Sequence, residues 1–156
     1  MADAARRIRA EPFFAGFGAA QRRTLAGCAT IETYEAGRHL LRESDRADSF
    51  FVLLAGHVLL RAHVSHARAV PLETLGPHDA LGWSWLVEPW RWHFDAEALE
   101  PTEALRFDAA CLRAAMDADH DLGYVLQRRI IETMAHRLQA TRMQGLDLYG
   151  NPAGER

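Results

Sequence analysis

The feature that most constrains this chain is an abrupt change of pattern at Thr30. Before it, Asp3 to Ala29 has helical composition, broken at Glu11-Pro12 and loosened at Gly16 and Gly18, with a second short helix over Gln21–Cys28. After it come short apolar and β-branched runs at Thr30–Tyr34, His39–Arg42, Ser49–Leu54, His57–Val64 and Val70–Leu75. Glu35-Ala36-Gly37, Ser44 to Asp48, Ala55-Gly56 and Gly76-Pro77 separate them, and these are residues that tight turns favour. A last pair of strands is expected at Ala96–Leu99 and Glu103–Phe107, joined by Glu100-Pro101-Thr102. Strands at this spacing predict a meandering antiparallel sandwich or barrel.

From Asp108 onward the pattern is helical: Ala109–Met116, a break at Asp117-Ala118-Asp119, then Leu122 to about Met143, with Gly145 and Gly150 as stops. Leu122, Leu126, Ile130, Met134 and Leu138 recur every fourth residue, and Val125 and Ile131 widen the stripe. Such a stripe must be covered. Packing on the chain's own sheet is one cover, and a helix this long on a small domain also offers itself to a second copy, so a homodimer through it is expected.

With 156 residues, 49% hydrophobic and 25% charged, the chain suits one domain with one core. It has no apolar run of about 18 residues to span a membrane, and Met1–Ala10 lacks the apolar centre of a signal peptide, so a cytoplasmic protein is expected. A net charge of −3 argues against nucleic acid as the main partner. All 18 basic residues are Arg, which reads most simply as compositional bias alongside abundant Ala. Cys28 and Cys111 lie far apart in no metal-ligand spacing, so both are expected to be small buried hydrophobes outside any disulfide framework or zinc site.

The order of motifs is more specific: Pro12-Phe13-Phe14-Ala15-Gly16, Leu25 to Ala29, Glu35-Ala36-Gly37, Leu41-Arg42-Glu43, Ala47 to Leu53, Gly56 and Leu75-Gly76. Over roughly Pro12 to Leu138 this resembles the cyclic-nucleotide-binding domain superfamily, the catabolite-activator-like β roll. The resemblance implies an α+β, mainly β fold: an antiparallel β roll (double-stranded β-helix, or jelly roll) between short N-terminal helices and a long C-terminal helix. The parts are residues 1–29 helical, 30–108 roll, 109–145 helical and 146–156 tail. It implies ligand sensing rather than catalysis, with cyclic AMP or another cyclic nucleotide as the possible ligand and no cofactor or metal.

In that family the ligand lies in the roll on a cassette of a Gly, a Glu, a short helix and an Arg, which neutralise the cyclic phosphate and hold the ribose. The corresponding stretch here runs from Leu81 to Ala96; Gly82 is retained, Trp83 stands in place of the Glu, and the Arg falls on Arg91 or on Trp92. By resemblance Gly82, Ser84 and Arg91 would take the anionic part of a ligand, Trp83, Trp85 and Trp92 its flat part, and Ile130 and Met134 would form a lid. His93 sits within the same span. All four tryptophans fall at 83, 85, 90 and 92, with Phe94 just beyond. Three readings stay open: a pocket for an altered ligand, an aromatic anchor set for a partner protein, or rings that fill the nucleotide's space.

Enzyme readings fare worse. Ser84, His93 and Asp95 are the residue types of a hydrolase triad, but Leu86 stands where a G-x-S-x-G turn needs its second Gly. Among eight histidines, His63 and His66 are three apart, which on a strand puts them on opposite faces and precludes a cupin-type metal pair; the histidines read as solvated turn or surface residues, with His66 beside a hairpin loop at Ala67-Arg68. Bacterial relatives often add a helix-turn-helix after the long helix; the residues from Asp147 to Arg156 are a polar tail, so direct DNA binding is not expected and output would pass through a protein partner. The competing reading is a ligand-free scaffold that recruits its partner through the long helix and the Trp-rich segment.

Overall fold

The computed structural model describes residues 1–149. It opens with α1 (Ala2–Ala10), a 3₁₀ turn (Pro12–Phe14) and α2 (Ala19–Gly27). Eight strands follow: β1 (Ala29–Tyr34), β2 (His39–Leu41), β3 (Ser49–Ala55), β4 (Val58–Ser65), β5 (Arg68–Leu75), β6 (Ala80–Leu81), β7 (Asp95–Ala98) and β8 (Thr102–Asp108). A second 3₁₀ turn (Ser84–Leu86) lies between β6 and β7, and the described part ends with α3 (Ala109–Ala118) and α4 (His120–Tyr149).

The strands form two antiparallel four-stranded sheets in the orders β1-β8-β3-β6 and β2-β7-β4-β5, which is the jelly-roll arrangement. The expected meander is corrected. Only β4 and β5 are both consecutive and paired, and β7 and β8 go to opposite sheets instead of forming a hairpin. The turn at Glu100-Pro101-Thr102 is therefore a corner between sheets. It presses on Gly56, where φ is +87° and an added Cβ would lie 2.6 Å from the Pro101 carbonyl and 2.7 Å from Thr102 Cα. Only glycine fits that approach.

β3 explains where the core sits. Phe50, Phe51, Val52 and Leu53 are all buried, so both faces of this strand are covered. Phe50 and Phe107 rings stand 5.8 Å apart, and Phe14 from the first 3₁₀ turn packs 5.6 Å from Phe107, so the N-terminal segment caps the sheet that carries β3. Ile8 and Leu25, fully buried on α1 and α2, extend this cluster.

Two further expectations are corrected. Helix α4 runs through Gly145 to Tyr149; a single interior Gly costs only about 1 kcal/mol relative to Ala, too little to stop a helix on its own. Gly150 and the remainder of the expected 146–156 tail fall outside the described residues. The cysteines form a disulfide instead of separate buried thiols, with Cα atoms 5.5 Å apart across 83 residues of sequence. The β1–β8 pairing brings them together. The Asp108 N–H donates to the Cys28 carbonyl (2.9 Å), so α3 starts beside the end of α2, and Asp108 then caps α3 by accepting from the Cys111 N–H (2.7 Å). Asp108→Ala is expected to cost about 1 kcal/mol, read as a lowered denaturant midpoint with unchanged m-value.

Candidate functional site

The segment between β6 and β7 is held by alternation. Counting back from the buried Ala98 and Ala96 of β7, every second residue points inward, so Phe94 and Trp92 are buried while His93 and Arg91 are exposed. The backbone at Arg91 bridges to Arg46, and the Arg91 guanidinium donates to the Ser44 carbonyl (3.3 Å), away from the core. Trp92 instead lies over Gly82. A Cβ on Gly82 would meet two atoms of that indole at 2.8 Å, and Gly82 also has φ of +88°, so the glycine is required twice. The void beside it, bordered by Phe50, Leu81, Trp83 and Ile130, is about 10 Å³, space for one water at most.

The remaining aromatic residues divide by role. Trp85 is fully buried, 5.8 Å from the Phe50 ring, and Ser84 is buried beside it in sequence; neither Trp85 Nε1 nor Ser84 Oγ has a hydrogen-bond partner among the described residues. Trp90 is half-buried under Arg113 of α3, whose guanidinium carbon sits 4.8 Å from the ring centre while its Nη1 donates to the Trp85 carbonyl (2.8 Å). Arg113 thus ties the Trp-rich segment to the helices, a role that nothing in its sequence context marks. Trp83, half-buried, tilts against Phe94 with ring centres 5.4 Å apart.

Trp83 and Phe94 face a cavity of about 570 Å³ between the roll and α4. Leu60 of β4 and Leu72 of β5 line its roll side, and Ile131, Met134 and Leu138 of α4 its helix side. Of the expected lid, Met134 lines this cavity, whereas Ile130 is buried and borders the small void beside Gly82 instead. The charged members are Glu73 and Arg137. Arg137 donates from Nη2 to the Ala80 carbonyl and holds Nε 3.8 Å from a Glu73 oxygen. Burial lowers its pKa, against the opposing pull of Glu73 and Asp79. Sequence reasoning missed this pair, although Ile130, Met134, Arg137 and Thr141 follow at helical spacing and so share a face.

The structure does not assemble the hydrolase residues: Ser84 Oγ is unpartnered, His93 is exposed, and Asp95 is taken by His63 (2.7 Å) and by the Glu43 backbone N–H (2.7 Å). The His63–Asp95 pair raises the pKa of His63, through the hydrogen bond its protonated Nε2 donates to the Asp95 carboxylate. Among the described residues no group of three His, Cys, Asp or Glu is placed to hold a metal, and no helix is long and apolar enough to cross a membrane.

Comparison with known proteins places this arrangement. No curated protein sequence matches. Among solved structures, a protein of Geobacter metallireducens GS-15 assigned as cyclic nucleotide-binding matches with a TM-score of 0.77 and 25% identity, over 86% of this chain and 97% of that one. The N-terminal domain of a transcriptional regulator from Streptomyces coelicolor A3(2) matches with a TM-score of 0.65 and 25% identity, over 86% and 93%. The regulatory domain of Toxoplasma gondii protein kinase A, solved with cyclic AMP, shares the fold alone at 13% identity (TM-score 0.69, over 84% and 49%). The family model for the cyclic nucleotide-binding domain matches residues 31–119, which is the roll, the Trp-rich segment and α3. By that match and by the jelly-roll order of its strands, this chain belongs to the cyclic nucleotide-binding domain family.

Proposed function

We propose that the chain is a regulatory module that senses a small ligand through the cavity shared by the roll and α4, with an altered ligand in place of a cyclic nucleotide. The observation that carries this is the division of the cavity's lining. Trp83 and Phe94 belong to the roll and Met134 and Leu138 to α4, so an occupant would bind both parts and change the free energy of the helix relative to the roll. The inward position that could carry a phosphate-binding Arg holds Trp92, and Arg91 points outward. Gly82, Trp85, Trp92 and Ile130 then act as packing, while Trp83 and Met134 keep the ligand-facing part; Ser84 and His93 are left without a ligand role.

The test is a thermal-shift series with cyclic AMP, cyclic GMP and cyclic dinucleotides on wild type and Arg91→Ala. The expected result is no nucleotide-dependent stabilisation of either protein. A shift in wild type that disappears in Arg91→Ala would restore a phosphate site and overturn the altered-ligand reading.

A second reading is favoured by one observation: Tyr124, Ile131, Leu138 and Met143 are more than half exposed along α4. Tyr124, Ile131 and Leu138, seven residues apart, share one face, which suits a homodimer or a protein partner. Sedimentation of wild type against Tyr124→Glu separates the cases, since an α4 dimer dissociates in the variant and a monomer is indifferent.

A further inference from the structure

We infer that the cavity under α4 takes an amphiphilic monocarboxylate, its aliphatic chain between Leu72 and Leu138 and its carboxylate on Arg137. The inference rests on the sensing reading and specifies its ligand. Leu72 is 52% exposed, Ile131 62% and Leu138 64%, and they line two walls of one cleft. A cleft of about 570 Å³ is of small-molecule size, whereas a partner helix about 10 Å across would need a longer and more open groove. The occupant is therefore a small and mostly apolar molecule.

Arg137 selects its polar end. Its side chain is 14% exposed, yet among the described residues its hydrogen-bond acceptor is the Ala80 carbonyl, and Glu73 stands at 3.8 Å, beyond hydrogen-bond reach. A guanidinium has five N–H donors, and a carboxylate satisfies two of them in parallel while bringing a single negative charge. A single cation beside Glu73 cannot balance a polyphosphate, and the apolar walls offer nothing to sugar hydroxyls. Burial of the guanidinium works in the same direction, because an incoming anion restores the stabilisation that lost hydration removed.

Calorimetry and tryptophan fluorescence with octanoate, decanoate, dodecanoate and decanol test this on wild type, Arg137→Met and Glu73→Gln. Wild type is expected to bind the acids, each added methylene tightening binding roughly three- to fourfold. Arg137→Met should weaken decanoate by roughly ten- to a hundredfold and leave decanol unchanged. Glu73→Gln, which removes the competing carboxylate and leaves the Ala80 contact in place, should bind decanoate severalfold tighter; unchanged affinity there overturns the assignment even if Arg137→Met does not fold. Decanol binding equal to decanoate, with no effect of either substitution, overturns the carboxylate and leaves the sensing reading standing. Binding of a cyclic nucleotide in place of every acid and alcohol overturns the ligand class alone, and binding of no probe at all overturns both.

Discussion

Reduction of the Cys28–Cys111 bridge, or its replacement by Cys28→Ser with Cys111→Ser, is expected to lower stability by about 4 to 5 kcal/mol. The size follows from chain entropy: the bridge closes a loop spanning 83 residues of sequence, and freeing the unfolded chain from that closure raises its entropy by a corresponding amount. For a domain of this length that corresponds to a fall in melting temperature of roughly 10 to 15 °C. Thermal melts with and without dithiothreitol, alongside the double variant, measure it. Reduced wild type should melt slightly above the double variant, because the Cys28 side chain is buried and a thiol packs better there than a hydroxyl. Melts indifferent to reductant would show that the two sulfurs are not bonded. The bridge joins α2 to α3, and α3 holds the Trp-rich segment through Arg113, so its loss should also loosen the floor on which Trp90 rests.

The cysteine pair marks where sequence reading ran out. Strand positions were legible because apolar runs and turn residues are local signals, and the observed strands fall within a few residues of the expected ones. Pairing is not local. Nothing near Cys28 announces Cys111, and the two meet only after β1 has paired with the last strand of the roll. Strand spacing alone suggested a meander for the same reason, since a meander and a roll share strand lengths and turns and differ in which strands become neighbours; the jelly roll was legible only through the family resemblance. β6 was missed because two residues, Ala80 and Leu81, carry no period.

The site was legible in a different way. The family resemblance led to Gly82 and the tryptophans, and placed the phosphate-binding Arg on Arg91 or on Trp92. Which of the two faces inward was legible from strand alternation: Ala98, Ala96, Phe94 and Trp92 are apolar at every second position, while Glu97, Asp95, His93 and Arg91 are polar between them. Arg137 was passed over because an Arg on an amphipathic helix is usually assigned to the solvent face, although its spacing from Ile130 and Met134 sets it on the buried one.

Trp92→Ala is expected to destabilise the protein by about 3 to 5 kcal/mol, the cost of removing a large buried ring together with the cavity left behind. The indole covers Gly82 so closely that no side chain fits beneath it, and the residual void there is only about 10 Å³, so the surroundings are already packed and cannot collapse far. The space opened would be apolar, and an apolar cavity of that size stays dry and admits a small aromatic molecule. Free indole should therefore raise the melting temperature of Trp92→Ala and leave wild type unchanged. Cyclic AMP should do neither, because the space beneath the lost ring is walled by Phe50, Leu81, Trp83 and Ile130, which offer nothing to a ribose or a cyclic phosphate, and the one cation at its border, Arg137, stands beside the Glu73 carboxylate. A loss below about 1 kcal/mol would mean that the ring is not packed as described. Rescue by cyclic AMP would mean instead that an anion site lies under Trp92, so that the indole occludes a nucleotide site and does not replace it.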